Sequence, residues 1–135
     1  MASATDAAAR SPALSAVVYA GNLDRVVDFY AAVIGLTPVE RTDGFAVLVA
    51  PGIEFTVVAI PDGAADAIES PTVRREETPI KVVFTVERIA RCRELAAMHD
   101  GVIDPADREW EFRGLRRCDG HDPEGNVLQV AELVS

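Results

Sequence analysis

The sequence predicts an α+β fold built from two copies of one strand-helix-three-strand module, and three observations carry that prediction. First, the chain resembles itself: the stretch from Ser15 to Arg25 aligns without a gap with the stretch from Lys81 to Arg91, an offset of 66 residues. The same offset pairs Val18 with Phe84, Leu23 with Ile89, Phe29 with Leu95 and Gly35 with Gly101, so a strand, a helix and a helix stop are duplicated. Second, Gly52 to Ile60 aligns with Gly125 to Leu133 at the larger offset of 73, which leaves seven extra residues before the last strand of the second copy. Third, the hydrophobic period switches from two to that of a helix and back within each half.

The elements follow in order. Leu14 to Ala20 alternates, with Leu14, Ala16, Val18 and Ala20 on one face and Ser15, Val17 and Tyr19 on the other. Asn22 is a suitable N-cap for a helix from Leu23 whose apolar stripe is Leu23, Val26, Val27, Tyr30, Val33 and Ile34. Gly35 supplies its left-handed stop. Three strands are expected at 37–42, 45–50 and 53–60, joined by turns at Asp43-Gly44 and Pro51-Gly52.

The second copy repeats the plan with a strand at 80–86, a helix at 88–99 ended by Gly101, a short strand near 102–104 and strands near 110–119 and 127–133. Asp122-Pro-Glu-Gly-Asn126 closes the last hairpin. The expected organisation is a loose tail over 1–13 and a single domain over 14–133. That domain comprises module one (14–60), a solvated linker (61–79) containing Arg74-Arg-Glu-Glu77, and module two (80–133).

Composition narrows the function. The chain has 135 residues, 49% of them hydrophobic, enough for one buried core. Its longest apolar runs, such as Phe45 to Ala50, have strand length and fall far short of a membrane span, and the first 13 residues lack the apolar stretch of a signal peptide. A net charge of −9 argues against nucleic acid and anionic membranes as partners. Cys92 and Cys118 form no metal-like spacing, which fits a reduced, cytoplasmic protein. Cys92 lies at helical spacing from Ile89 and Ala96 and reads as a buried thiol, while Cys118 has no identifiable basic partner.

If the helix covers one face of each four-stranded sheet, the residues of opposite parity line the other face. These are Ser15, Val17, Tyr19, Glu54, Thr56, Val58, Lys81, Val83, Thr85, Val127, Gln129 and Ala131, a mostly apolar wall with a few polar groups, as in a small-molecule pocket. The same pattern also fits a face covered by the other half of the chain or by a second subunit.

This duplicated plan, with Phe29-Tyr30 followed by Ile34-Gly35-Leu36 and then Asp122-Pro-Glu-Gly-Asn126, resembles the vicinal oxygen chelate superfamily of glyoxalase I, extradiol dioxygenases, fosfomycin-modifying enzymes and bleomycin resistance proteins. The resemblance spans about Leu14 to Leu133. It implies two βαβββ modules forming a glyoxalase/bleomycin resistance/dioxygenase-like, partly open eight-stranded barrel, commonly in a homodimer. It also implies that metal-using members bind a divalent ion at the positions occupied here by Ser15, Thr56, Lys81 and Gln129. Such an ion requires imidazole or carboxylate donors, and an ammonium at position 81 repels it. His99 reads instead as a helix C-terminal residue and His121 as a turn residue.

The expected function is therefore metal-independent, cofactor-free binding of a small organic ligand, anionic or aromatic, as in the bleomycin resistance branch. The candidate ligand-binding residues are Ser15, Tyr19, Glu54, Thr56, Lys81, Trp110, Phe112 and Gln129, and no catalytic residue is assigned. Lys81 fits an anion-binding ammonium, an amine of lowered pKa, or an ion pair with Glu54 or another carboxylate. Trp110 and Phe112 fit ring stacking as well as core or dimer packing. Arg113, Arg116 and Arg117 read as solvated strand charges. The rival readings are a metal-dependent glyoxalase- or dioxygenase-type enzyme with a relocated site, one using Glu54, and a metal-free isomerase or lyase driven by Lys81 and Glu54.

Overall fold

The computed structural model describes residues 12–61 and 73–134. The first module runs β1 (Leu14–Ala20), α1 (Leu23–Phe29), β2 (Thr37–Arg41), β3 (Phe45–Ala50) and β4 (Ile53–Ala59). Asn22 caps α1 by accepting from the Arg25 N–H, at 3.1 Å. The helix continues as a π-helical turn over Tyr30–Ile34 and stops at Gly35, whose φ of 89° only glycine adopts easily. The buried residues of this helix and turn are Val26, Val27, Phe29, Tyr30 and Val33.

The second module is β5 (Val82–Thr85), α2 (Ile89–Met98), β6 (Val102–Ile103), β7 (Trp110–Phe112), β8 (Leu115–His121) and β9 (Val127–Leu133). One sheet has the order β1-β4-β3-β2, with β1 parallel to β4. The other has five strands in the order β5-β9-β8-β6, with β7 also paired to β8. The architecture is mixed α+β with two sheets and no closed barrel among the described residues.

Sequence and structure part at several points. The single strand expected over 110–119 is a hairpin, β7 and β8, turning at Arg113 and Gly114 with φ of 54° and 77°. Two consecutive positive φ values make the tight turn that matches strand twist, and an arginine at the first of them hid it. The second sheet therefore has five strands, not four. His121 ends β8 instead of lying in the turn.

Gly101 is not the left-handed stop of α2; that conformation belongs to Asp100, with φ of 62°. Gly101 is required because a Cβ there would lie 2.2 Å from the Phe29 ring and 2.8 Å from the His121 carbonyl oxygen. Of the linker, residues 73–79 are described, and Arg74 is not solvated: it forms a partly buried, two-pronged pair with Asp104, at 3.1 and 2.5 Å. The tail over 1–11 lies outside the described residues.

Both modules contribute to one core. Tyr30 is ringed by Phe29, Phe55 and Phe84 at centroid distances of 5.2, 4.5 and 5.9 Å, so rings from α1, β4 and β5 meet at the module junction. The Tyr30 hydroxyl donates to the fully buried Asp122 carboxylate at 2.8 Å. Burial first, and then the negative charge of Asp122, hold this phenol well above its ordinary pKa.

The other Asp122 oxygen accepts from the backbone N–H groups of Glu124 and Asn126, and the Asn126 side chain donates to both. Glu124, also buried, accepts from the Gly21 and Asn22 N–H groups at 2.9 and 2.8 Å, immediately before α1. Its negative charge sits where the helix dipole favours it. Arg25 closes the contact by donating to the Pro123 carbonyl at 2.8 Å.

The two repeat-related glycines separate in their reasons. Gly101→Ala is expected to cost more than about 2 kcal/mol, because the Phe29 ring it strikes is fully buried and cannot withdraw. Gly35→Ala, with open space around it, is expected to cost about 1 kcal/mol from backbone conformation alone. Urea denaturation of the two variants checks this, and equal costs would contradict it.

Candidate functional site

The registers map the face of each sheet that points away from the helices. In the first sheet Ser15 lies beside Glu54, Val17 beside Thr56 and Tyr19 beside Val58, with Val49, Val47 and Phe45 continuing those rows on β3. Residues paired across neighbouring strands point to the same side, so these form one surface. It is open in the single chain: Tyr19 is 64% exposed, and Val17 is exposed as well.

In the second sheet the corresponding rows are Trp110–Arg117–Ala131–Thr85, Phe112–Leu115–Leu133, Asp119–Gln129–Val83 and His121–Val127, with Lys81 next to the last of these. Two residues of this face are buried, Gln129 at 7% exposure and Ala131 fully, and polar side chains draw together at Gln129.

That drawing together is a continuous polar chain. Lys81 Nζ pairs with Asp119 Oδ2 at 2.9 Å, Gln129 Nε2 donates to Asp119 Oδ1 at 3.1 Å, and Arg117 Nη1 donates to Gln129 Oε1 at 3.0 Å. Arg117 Nε also donates to the Phe112 carbonyl at 3.2 Å, and its guanidinium carbon sits 5.4 Å from the centre of the Phe112 ring. An amide between a cation and a carboxylate has one orientation that satisfies both, oxygen to Arg117 and nitrogen to Asp119.

The partner of Lys81 is thus Asp119, not Glu54, and its charge is matched. Arg117 is half-buried and built into the face instead of being a solvated strand charge. Trp110 and Phe112 are 40% and 57% exposed on β7, which removes them from the core. Ser15 and Thr56 stand on the first sheet, while Lys81 and Gln129 belong to the second.

The structure also supplies the basic partner that the sequence did not reveal for Cys118: Arg93 Nη2 approaches its sulfur at 3.7 Å, and the thiol donates to the Asp104 carbonyl at 3.3 Å. Burial still outweighs Arg93 and pushes the Cys118 pKa up, so the thiol is not an activated nucleophile. Cys92 donates to the Val33 carbonyl, and burial raises its pKa to about 11. A separate groove of about 400 Å³ opens between the π-helical turn and the start of α2, lined by Val33, Ile34, Thr85, Arg88 and Leu95. None of the ligand residues expected from sequence lines it.

The chain belongs to the glyoxalase/bleomycin resistance protein/dioxygenase superfamily, whose family model matches residues 13–130. Among solved structures it is similar to a glyoxalase/bleomycin resistance protein from Albidiferax ferrireducens T118, at 16% identity and a TM-score of 0.63 over 89% of this chain and 97% of that one. A glyoxalase/bleomycin resistance protein/dioxygenase family enzyme from Burkholderia phytofirmans PsJN is similar at 15% identity and a TM-score of 0.67, over 91% and 99% of the two chains. The bleomycin-binding protein of bleomycin-producing Streptomyces verticillus, solved with copper(II)-bleomycin, has 15% identity and a TM-score of 0.56, over 88% and 93%. At these identities the likeness is one of fold. No curated protein sequence is significantly similar.

The divalent-ion positions implied by this family do not fit an ion here. Lys81 is a cation already paired with Asp119, both ends of the Gln129 amide are engaged, and Ser15 and Thr56 offer only neutral hydroxyls. Among the described residues no three His, Cys, Asp or Glu side chains are grouped to hold a metal, Glu54 included. No helix among them is long and apolar enough to cross a membrane.

The polar chain predicts a ranking of stabilities. Gln129→Leu is expected to cost about 1–3 kcal/mol, since it takes one hydrogen-bond partner each from Arg117 and Asp119 on a half-buried surface. Lys81→Met removes a more exposed pair and is expected to cost no more than about 1 kcal/mol. Chemical denaturation of both variants measures the order, and a larger loss in Lys81→Met would contradict it.

Proposed function

We propose that this protein is a metal-independent small-molecule binder that holds an organic ligand against the open faces of its two sheets, in the manner its kinship with bleomycin resistance proteins suggests. The observation that carries this reading is the chemistry at Ser15, Thr56, Lys81 and Gln129. Where a metal-using relative needs anionic or imidazole donors, this chain has an ion-paired ammonium and an amide fixed at both ends. Binding would draw on apolar contact with Val17, Val47, Val58 and Val83, and on hydrogen bonding from Tyr19, Glu54 and Thr56. The bleomycin-binding structural neighbour supports the plan as one that takes an organic ligand.

A homodimer is part of the proposal. Val17 and Tyr19 are exposed on the open face of the first sheet, and Val83 and Leu133 on that of the second, the kind of exposed apolar surface that marks an interface. A second copy would close these faces into clefts inside the cell.

Elemental analysis of the purified protein and thermal-shift titration with divalent ions test this reading. The expected result is no stoichiometric metal and no rise in melting temperature with Mn, Fe, Ni or Zn, while a screen of antibiotics and aromatic compounds finds stabilising ligands. One ion bound per chain and stabilising the fold would overturn the proposal and favour a metal-dependent glyoxalase- or dioxygenase-type enzyme.

A further inference from the structure

The geometry points to Arg117 as the anchor for the ligand's charge, and to an aromatic carboxylate as the ligand class; this rests on the binding role proposed above. On the open face of the second sheet Lys81 and Asp119 cancel, which leaves Arg117 as that face's unmatched cation among the described residues. Its two hydrogen bonds go to neutral acceptors, the Phe112 carbonyl and the Gln129 amide oxygen.

Apart from Asp119, the acidic neighbours on or beside these strands are engaged on the opposite side. Glu132 accepts from the Ile89 N–H, and Glu109 and Glu111 pair with Arg116, whose row with Glu111 and Glu132 faces the other way. A chain with net charge −9 has thus kept a half-buried guanidinium without a carboxylate among the described residues, although eight ion pairs formed elsewhere among them show that acids are at hand.

Two further features make Arg117 suited to a ligand. A guanidinium has five N–H donors, and two are used, which leaves three for an incoming group. Gln129, Phe112 and the cation–π contact fix its position in advance, so little side-chain freedom is lost on binding. Trp110 lies directly across from Arg117 and on the same face, with Phe112 next to it, both substantially exposed. A planar ring laid along these aromatics brings a ring carboxylate to the guanidinium fork, the geometry in which arginine binds such groups through paired hydrogen bonds. Gln129 acts as a positioning residue, because its oxygen holds Arg117 while withholding the negative charge that would neutralise it.

The test is calorimetric titration with a matched pair of probes, 2-naphthoate and 2-naphthamide, which differ in charge but hardly in shape. The wild-type protein is expected to bind the acid roughly tenfold or more tightly than the amide. Arg117→Gln should abolish that preference, and so should Gln129→Glu, which hands Arg117 an internal carboxylate while leaving the guanidinium in place. Arg116→Gln, on the opposite face of β8, should retain it. Equal affinity for acid and amide in the wild type would overturn the anchor while leaving the binding role intact. Failure of both probes to bind would overturn the ligand class, and a thermal-shift screen of neutral and cationic aromatics then shows whether the binding role falls with it.

Discussion

The fold depends on one buried carboxylate. Asp122 has no exposure to water, and a charge in that position is tolerable only when its oxygens are fully engaged. Its partners come from two places: the backbone and Asn126 of its own turn, and the hydroxyl of Tyr30, 92 residues earlier. The turn before the last strand of module two therefore requires the helix of module one to be in place. Glu124 completes the grip at the other end of that helix by accepting from Gly21 and Asn22. Gly125 extends it to the connecting segment, since a Cβ there would lie 2.1 Å from the Val73 carbonyl oxygen.

This junction decides where a ligand can go. Because α1, its π-helical turn, Phe55 and Phe84 meet around Tyr30, the helix-side faces of both sheets are used up in joining the modules. The opposite faces are left to solvent, and the polar chain from Lys81 to Arg117 organises one of them. Stability and binding chemistry are thereby divided between the two sides of each sheet, which frees the open side to vary in residue type without disturbing the junction.

Much of the scaffold was legible because it rests on local chemistry. The alternation of β1, the Asn22 cap, the stripe of α1 and the stop at Gly35 each follow from neighbouring residues, and the repeat made the second module readable from the first. The repeat also misled, since it assigned Gly101 the role of Gly35 when the glycine is needed for the Phe29 ring lying over it. The seven extra residues of the second half were visible, but their division was not. Part of them goes into the longer 122–126 turn, and the Arg113-Gly114 hairpin carries no strong turn signature at its first residue. The candidate site was legible as a set of faces and not as a set of partners. Which carboxylate Lys81 would choose, and that Arg117 would find none among the described residues, are outcomes of three-dimensional pairing among several acids that sequence spacing does not rank.

A double-mutant cycle of Tyr30→Phe and Asp122→Asn, followed by urea denaturation, tests whether the Tyr30–Asp122 bond joins the two modules. Asparagine at 122 keeps the shape but cannot offer both oxygens to Tyr30 and Asn126, and phenylalanine at 30 removes only the donor. The predicted coupling between the two substitutions is about 1–3 kcal/mol, with the two modules still unfolding in a single transition in the wild type. Additive effects, or separate unfolding of the modules in the wild type, would contradict the claim.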